Sequence, residues 1–329
     1  MNIYDIAEKS GVSIATISRV LNGGKNVSQK TYDKVMAIIE EEGYTPNIFA
    51  RGLGLDTMQT IGILVTDAKD TYYARMISYL SEGLHSLGFN VLLSSTGYDL
   101  KSKKREMELL ISKRVDAIFL AGSSQQELKG NTHIKEAAKT IPIIMVNGYI
   151  DAPGIINVSS NDRAGIYDCI RKLSASGYQK PLYFYNHATY SGAEKIAGFE
   201  AAAKELGLAK VKERIIQLPD TLTGMQARVE QVIASGLDFD AVVASEDLLA
   251  VAASKALAGR KLDLPVVGFN NSILAEVSSP TLTSIDNMLE SLCKMAVELF
   301  HERSLGKDTS SRVTIDCKLA VRESFRPEE

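Results

Sequence analysis

Six residues near the start of the chain, Ser13, Ile14, Ala15, Thr16, Ser18 and Arg19, have the types and spacing to read and hold a nucleic-acid duplex. An arginine can donate two hydrogen bonds to guanine O6 and N7, and apolar Ile14 and Ala15 suit thymine methyl groups better than amide readout would. Thr16, Asn26 and Ser28 have the chemistry of phosphate contacts or helix caps, which position a module without reading sequence. Such a set works only on a short helix with one exposed side. The stretch from Ile3 to Asn22 supplies it, reading as two short helices joined by one glycine turn. Ala7, Gly11 and Ile17 stand at offsets of four and six, where a helix-turn-helix needs a small contact, a left-handed turn residue and a buried aliphatic. Ile3, Ile6, Val12, Val20 and Leu21 supply the other apolar positions. Asn2, with Asp5 three residues on, caps the first helix and Ser13 the second, leaving Ile14, Ala15, Ser18 and Arg19 near its exposed leading end. The competing readings are a core position for Ile14 and a solvated charge for Arg19.

Ser28 opens a third helix running to about Glu42, with Tyr32, Val35, Ile38 and Ile39 at helical spacing and Gly43 as its stop. Net charge is -3 over 329 residues, and residues 1–60 hold six Lys or Arg against seven Asp or Glu, so charge has to be read locally. From Arg19 to Lys34 the basic residues Arg19, Lys25, Lys30 and Lys34 face only Asp33, whereas Glu40, Glu41 and Glu42 cluster at the far end of the third helix. One face of the module can therefore be basic.

From Ile61 onward short apolar strands alternate with amphipathic helices: Ile61 to Val65, Tyr73 to Leu87, Val91 to Ser94. Further strands are expected at Ala117 to Ala121, Ile143 to Asn147, Leu182 to Tyr185, Arg214 to Gln217, Ala241 to Ala244 and Val266 to Phe269. These are too many for one comfortable doubly wound sheet, and the polar stretch Ser159 to Arg163 interrupts them. The expected fold is α/β: a three-helix headpiece and hinge helix, then a two-lobed core of two parallel doubly wound subdomains with a ligand cleft between them. Expected boundaries are 1–46 for the headpiece, 47–60 for hinge and linker, and 61–329 for the core. Lobe 1 takes about 61–160 plus 286–320, and lobe 2 about 161–285 plus 321–329.

Taken together, YDIAEKSGVSIATISRVLNG, VSQKTYDKVMAIIEEEGYTPN, ARGL and TIGILVTD resemble the LacI/GalR family of bacterial transcriptional regulators. The resemblance covers essentially the whole chain, strongest in the first 66 residues and later reduced to Val158 to Gly165, Gly198 with Phe199, Glu246 with Asp247, VVGFNN and LTSI. It implies a homodimer on a pseudo-palindromic double-stranded DNA operator, a body folded like a periplasmic sugar-binding protein, and DNA affinity set by a small molecule or a partner protein. It also implies that Ile14 and Ala15 read base edges, that Arg19 is directed at guanine, and that the final helix, Leu289 to Leu305, returns to the first lobe. Asn47, Ala50, Arg51 and Leu53 join the DNA-contacting set through the hinge, with Leu53 as a minor-groove wedge.

Effector contacts are expected from Asp67, Tyr72, Tyr73, Asn147, Arg163, Lys195, Glu246, Asn270 and Asp286. Lys195 stands where the family often has an arginine, Glu246 where an asparagine is usual, and Asn270 replaces an aspartate; the polar set is redistributed. Because Asp67, Glu246 and Asp286 could all line the cleft, a cationic or strongly donating effector is as reasonable as a neutral sugar. Tyr183, Tyr185 and Tyr190 read as core packing, and Ser159 and Ser160 as loop donors. A global catabolite regulator using a phosphorylated carrier protein as corepressor is the alternative function. No cofactor, metal or membrane contact is expected: His85, His133, His187 and His301 lack metal spacing, VTDAKD follows the Ile61 strand in place of a phosphate loop, and no apolar run nears the ~20 residues of a membrane span. Met1 leads directly into the capped helix, which reads as cytoplasmic. Cys169, Cys293 and Cys317 read as buried small hydrophobes.

Segment 47–54 is too short and, through Gly52, too flexible to coil alone. Ordering the seven residues 48–54 costs on the order of 10 kcal/mol in backbone entropy, which a second hinge and DNA must jointly offset. Amide hydrogen exchange at 47–54 should be fast in free protein and slow on operator, and Leu53→Ala should weaken operator binding. Slow exchange without DNA, or unchanged affinity, overturns the hinge reading.

Overall fold

The computed structural model describes residues 3–21, 27–43 and 57–328. The chain divides into two compact units, residues 1–60 with 114–116 and residues 61–113 with 117–329. In the small unit, helices α1 (Ile3–Ser10), α2 (Ile14–Leu21) and α3 (Gln29–Glu41) share one core of Ile6, Ile17, Val20, Val35 and Ile39. Helices of two or three turns are marginal in water, so that common core is what holds them. Gly11 turns the chain at φ +65°, and its N–H reaches Ala7 O at 2.9 Å. Ser28 caps α3 by accepting from Thr31 N at 3.2 Å, and Lys9 pairs with Glu42. The expected cap Asn2 lies outside the described residues.

The large unit holds two six-stranded sheets. The first, in spatial order, is β11 (Arg312–Ile315), β5 (Ile155–Ser160), β4 (Ile143–Val146), β3 (Ala117–Ala121), β1 (Thr60–Val65) and β2 (Asn90–Ser95). β3 is buried throughout because the sheet is covered on both faces, which is why its sequence is a continuous apolar run. On one face α4 (Thr71–Ser86) presents Met76, Leu80 and Leu84 at a four-residue spacing to α12 (Leu289–Ser304), whose Leu292, Cys293, Ala296 and Phe300 join the same core. Phe300 meets Phe119 edge-on at 5.6 Å. The final helix therefore packs in the first lobe.

The second sheet runs β12 (Lys318–Ala320), β10 (Thr283–Asp286), β9 (Val266–Phe269), β8 (Ala241–Ala244), β6 (Pro181–Tyr185) and β7 (Ile215–Gln217). Helices α9 (Leu222–Ala234) and α10 (Asp247–Gly259) cover Leu182, Phe184, Val242 and Ala244 on one face. On the other, α7 (Asp162–Ala175) and α8 (Tyr190–Glu205) cover Tyr183, Val243, Val267 and Phe269.

Three short passages join the lobes: Ser160 to Asp162, Asp286 to Leu289 and Ile315 to Lys318. The first and third are stitched together, since Asn161 N donates to Ile315 O at 2.8 Å and Asn161 Nδ2 to Asp316 Oδ1 at 2.9 Å, and the second is held internally by Met288 N donating to Asp286 Oδ1 at 2.7 Å.

Several boundaries differ from the sequence reading. Ser159 and Ser160 are not loop donors; they end the buried strand β5, and the expected interruption begins only at Asn161, the N-cap of α7. Lys318–Ala320, expected in lobe 1, pairs antiparallel with β10 at the edge of the second sheet, and Asp286 ends β10 in that same sheet. Arg214 precedes β7 in a short 3-10 turn, where its guanidinium donates to the carbonyls of Ala209, Lys180 and Asp238.

Helices α7 and α8 approach closely at Gly198, where a Cβ would lie 2.3 Å from Arg163 O. Backbone cannot yield as a side-chain tip can. Gly198→Ala should lower unfolding stability by about 1–3 kcal/mol in urea titration; an unchanged midpoint would show that the helices separate freely.

Candidate functional site

Helix α2 buries Ile17 and Val20 in the headpiece core, which turns the opposite side outward. Ile14 (38% exposed), Ala15 and Arg19 are exposed there with Ser13, and Ser18 is half-buried. Positions 14, 15, 18 and 19 share one helical face, so Ile14 is not a headpiece core residue. Ser13 Oγ accepts from Thr16 N at 3.2 Å and lies 2.9 Å from Thr16 Oγ1, so these two residues cap α2. Ser28, also exposed, caps α3. Asn26, Asn47, Ala50, Arg51 and Leu53 lie outside the described residues.

In the large unit, the carboxyl ends of parallel strands from both sheets surround one cavity of about 100 Å³. After β1 come Asp70, Tyr72 and Tyr73; after β2, Tyr98; after β3, Ser123; after β4, Asn147. The second lobe adds Asn186, His187, Thr189, Ser191 and Lys195 after β6, Ser245 and Glu246 after β8, and Asn270 after β9. This is where open parallel sheets place ligands, because each strand delivers its following loop to the same edge.

Six of the nine expected effector residues line the cavity: Tyr72, Tyr73, Asn147, Lys195, Glu246 and Asn270. Three do not. Asp67 accepts from Lys69 N at 2.9 Å in the turn before α4, and the wall carboxylate is Asp70, which also caps α4 through Tyr72 N at 2.8 Å. Arg163 is exposed on the first turn of α7, and the buried charge beside it is Asp162, bonded to Ser160 and Ser191. Asp286 takes Asn271 Nδ2 at 3.0 Å and Met288 N at 2.7 Å, which fixes the lobe passage. Tyr183 and Tyr185 do belong to the second-lobe core, but Tyr190 opens α8 and stands 6.5 Å from Tyr149 of the first lobe.

The sequence reading missed Asp70, Tyr98, Asn186 and His187. Asn186 and His187 directly follow the apolar run Leu182 to Tyr185, a position that strand polarity alone marks as cleft-facing. Tyr98 carries no such mark; it is placed by stacking on His187, centroids 4.8 Å apart, across the cleft.

A hydrogen-bonded frame fixes the walls. Tyr72 OH accepts from Asn147 Nδ2 at 2.8 Å and from Asn287 Nδ2 at 3.2 Å, and Tyr73 OH meets Ser124 Oγ at 2.5 Å. Asn147 (φ +58°) and Asn270 (φ +92°) sit in left-handed conformations that asparagine tolerates better than most residues. Lys195, buried, donates to Ser245 O at 2.9 Å and lies 3.7 Å over the Phe269 ring. Asn186 Nδ2 donates to Glu246 Oε1 at 2.9 Å. Burial first, then the nearby Asp70 carboxylate, push the Glu246 carboxyl up to about 7 against the opposing pull of Lys195. Burial likewise raises the hydroxyls of Tyr72 and Tyr73, which stay protonated donors.

Residues 2–47 match the model for bacterial regulatory proteins of the lacI family, and residues 58–320 match that for periplasmic binding proteins and the sugar binding domain of the LacI family. The chain belongs to the LacI family. It is 43% identical over 333 residues to an HTH-type transcriptional regulator of Lachnoclostridium phytofermentans, covering 98% of this chain and 99% of that protein. Identity to Catabolite control protein A of Priestia megaterium is 26% over 336 residues, 99% of each chain. The fold is similar to the lac repressor dimer bound to operator and the anti-inducer ONPF, with TM-score 0.87, 21% identity and 98% of each chain covered. This LacI-family chain is a DNA-binding transcriptional regulator, and the lower identity to the catabolite control protein does not favour the carrier-protein alternative. No described helix is long and apolar enough to cross a membrane, and no group of three His, Cys, Asp or Glu among the described residues could hold a metal.

The Glu246 carboxyl binds its proton more tightly in the folded core than in the unfolded chain. Below the unfolded value of 4.5 this costs nothing; as pH rises towards 7 the folded state progressively loses the advantage of holding the proton. Unfolding stability relative to Glu246→Gln should therefore fall as pH rises from about 4.5 to about 7, by at most about 3 kcal/mol. A gap that does not vary with pH would show that Glu246 is ionised throughout.

Proposed function

We propose that this regulator is a repressor whose operator affinity is set by a small polar molecule bound between the two core lobes. The observation that carries the proposal is the cavity itself: strand-end side chains of both lobes face one small space, so a ligand there touches both lobes at once and biases their relative position. A ligand shifts such an equilibrium only by its differential affinity for the two arrangements. Lobe movement reaches DNA through the hinge that the sequence leads one to expect at 47–54. The protein acts as a homodimer on a pseudo-palindromic site, with Ile14, Ala15 and Arg19 reading base edges and Ser13, Thr16, Ser18 and Ser28 positioning the module on phosphates. Tyr72, Tyr73, Asn147, Lys195, Glu246 and Asn270 hold the effector, a sugar or related metabolite, and cytoplasmic action follows from binding operator DNA.

An operator selected by the protein from randomised duplexes provides the test. Arg19→Ala should weaken binding to that operator by about 1–3 kcal/mol while changing affinity for random duplex far less. Equal loss on both would make Arg19 a phosphate contact. Thermal-shift screening with sugars, sugar phosphates, nucleosides and amino compounds should yield a compound that raises the unfolding temperature and changes operator affinity; stabilisation without any such change would separate the cleft from regulation.

A further inference from the structure

We propose that the effector carries a protonated amine, seated between Asp70 of one lobe and Glu246 of the other, on a polyhydroxylated body of the amino-sugar or amino-polyol class. This deepens the effector reading above and rests on it. Two carboxylates reach the cavity from opposite lobes, Asp70 at the N-cap of α4 and Glu246 at the N-cap of α10. Among the lining residues Lys195 is the one formal cation, and its ammonium is already committed to Ser245 O and the Phe269 ring. The wall thus holds more anionic acceptor than its own cation neutralises.

A second observation points the same way. Behind Tyr72 and Asn270, Asn287 is fully buried, gives its Nδ2 to both, and leaves its Oδ1 with no hydrogen-bond partner. The group left unpaired directly behind this part of the wall is thus an acceptor, a carbonyl oxygen that calls for a donor. Tyr72, Tyr73 and Tyr98 add aromatic surface to the same wall, and such surface favours a cation over an anion. Without ligand, two carboxylates lining one cavity repel, and a proton on Glu246 relieves that. A bound ammonium replaces the proton and ties the lobes together by charge-assisted hydrogen bonds to both. Hydroxyls of the same ligand then meet Asn147, Asn270 and Ser245, whose polarity is of neutral amide and hydroxyl type.

The experiment is calorimetric titration of the full-length protein with glucosamine, N-acetylglucosamine and glucose, which share a ring and differ in the amine, backed by a thermal-shift panel that adds linear amino-polyols, polyamines, neutral sugars and sugar phosphates. The expected result is that glucosamine, or another protonated amine of the panel, binds at least tenfold tighter than its acetylated or hydroxyl counterpart. Glu246→Gln and Asp70→Asn should each remove at least tenfold of the amine's affinity while changing that of the neutral counterpart less than threefold. Circular dichroism and the unfolding temperature of both variants check that they fold. If the binders are all neutral or anionic, or if both variants bind the amine as the wild type does, the amine assignment fails and the effector cleft stands. If no member of the panel binds, both fail.

Discussion

The directionality of parallel β-strands is the constraint on which the rest of the core depends. A parallel ladder sends every following loop to the same edge of its sheet, and in each lobe that edge faces the other lobe. Short polar runs after otherwise apolar strands, such as Asn186 with His187 or Ser245 with Glu246, thereby become the walls of one space, although they are separated along the chain by many residues. Covering helices keep the central strands dry on both faces, so polar side chains collect mainly at those ends.

Three lobe passages are the covalent links between the two halves of this arrangement. Asn161 and Asp316 bind two of the passages to one another, and the contacts across the cleft include Tyr98 on His187, Tyr149 near Tyr190, and Arg75 Nη1 donating to Asn271 O at 3.1 Å. Each lobe keeps its own large hydrophobic core, so the two can shift as bodies while those contacts rearrange. Small differences in what occupies the cavity are then enough to bias the balance.

Much of this was legible from residue patterns. The runs at 117–121, 241–244 and 266–269 are strands with the expected limits, and the glycine turn at Gly11 with its flanking aliphatics forms the three-helix core. Strand β5 was not legible, because Asn157, Ser159 and Ser160 look like a loop. They are buried in a strand because distant partners satisfy them: Asn157 exchanges hydrogen bonds with the Ile150 backbone and donates to Ser311 O. Local polarity says nothing about partners that arrive from elsewhere in the chain. The exchange of Asp67 for Asp70 in the cavity wall has a similar origin, since both sit in one turn and only the start of α4 decides which carboxylate caps the helix and faces inward.

The most direct measurement is amide hydrogen exchange of the full-length protein with and without the compound found by screening. The account predicts protection concentrated in the strand-end loops of both lobes at once, around residues 66–73, 122–126, 186–192, 245–247 and 270–272, together with the lobe passages. Protection confined to one lobe, or found only away from these loops, would contradict it.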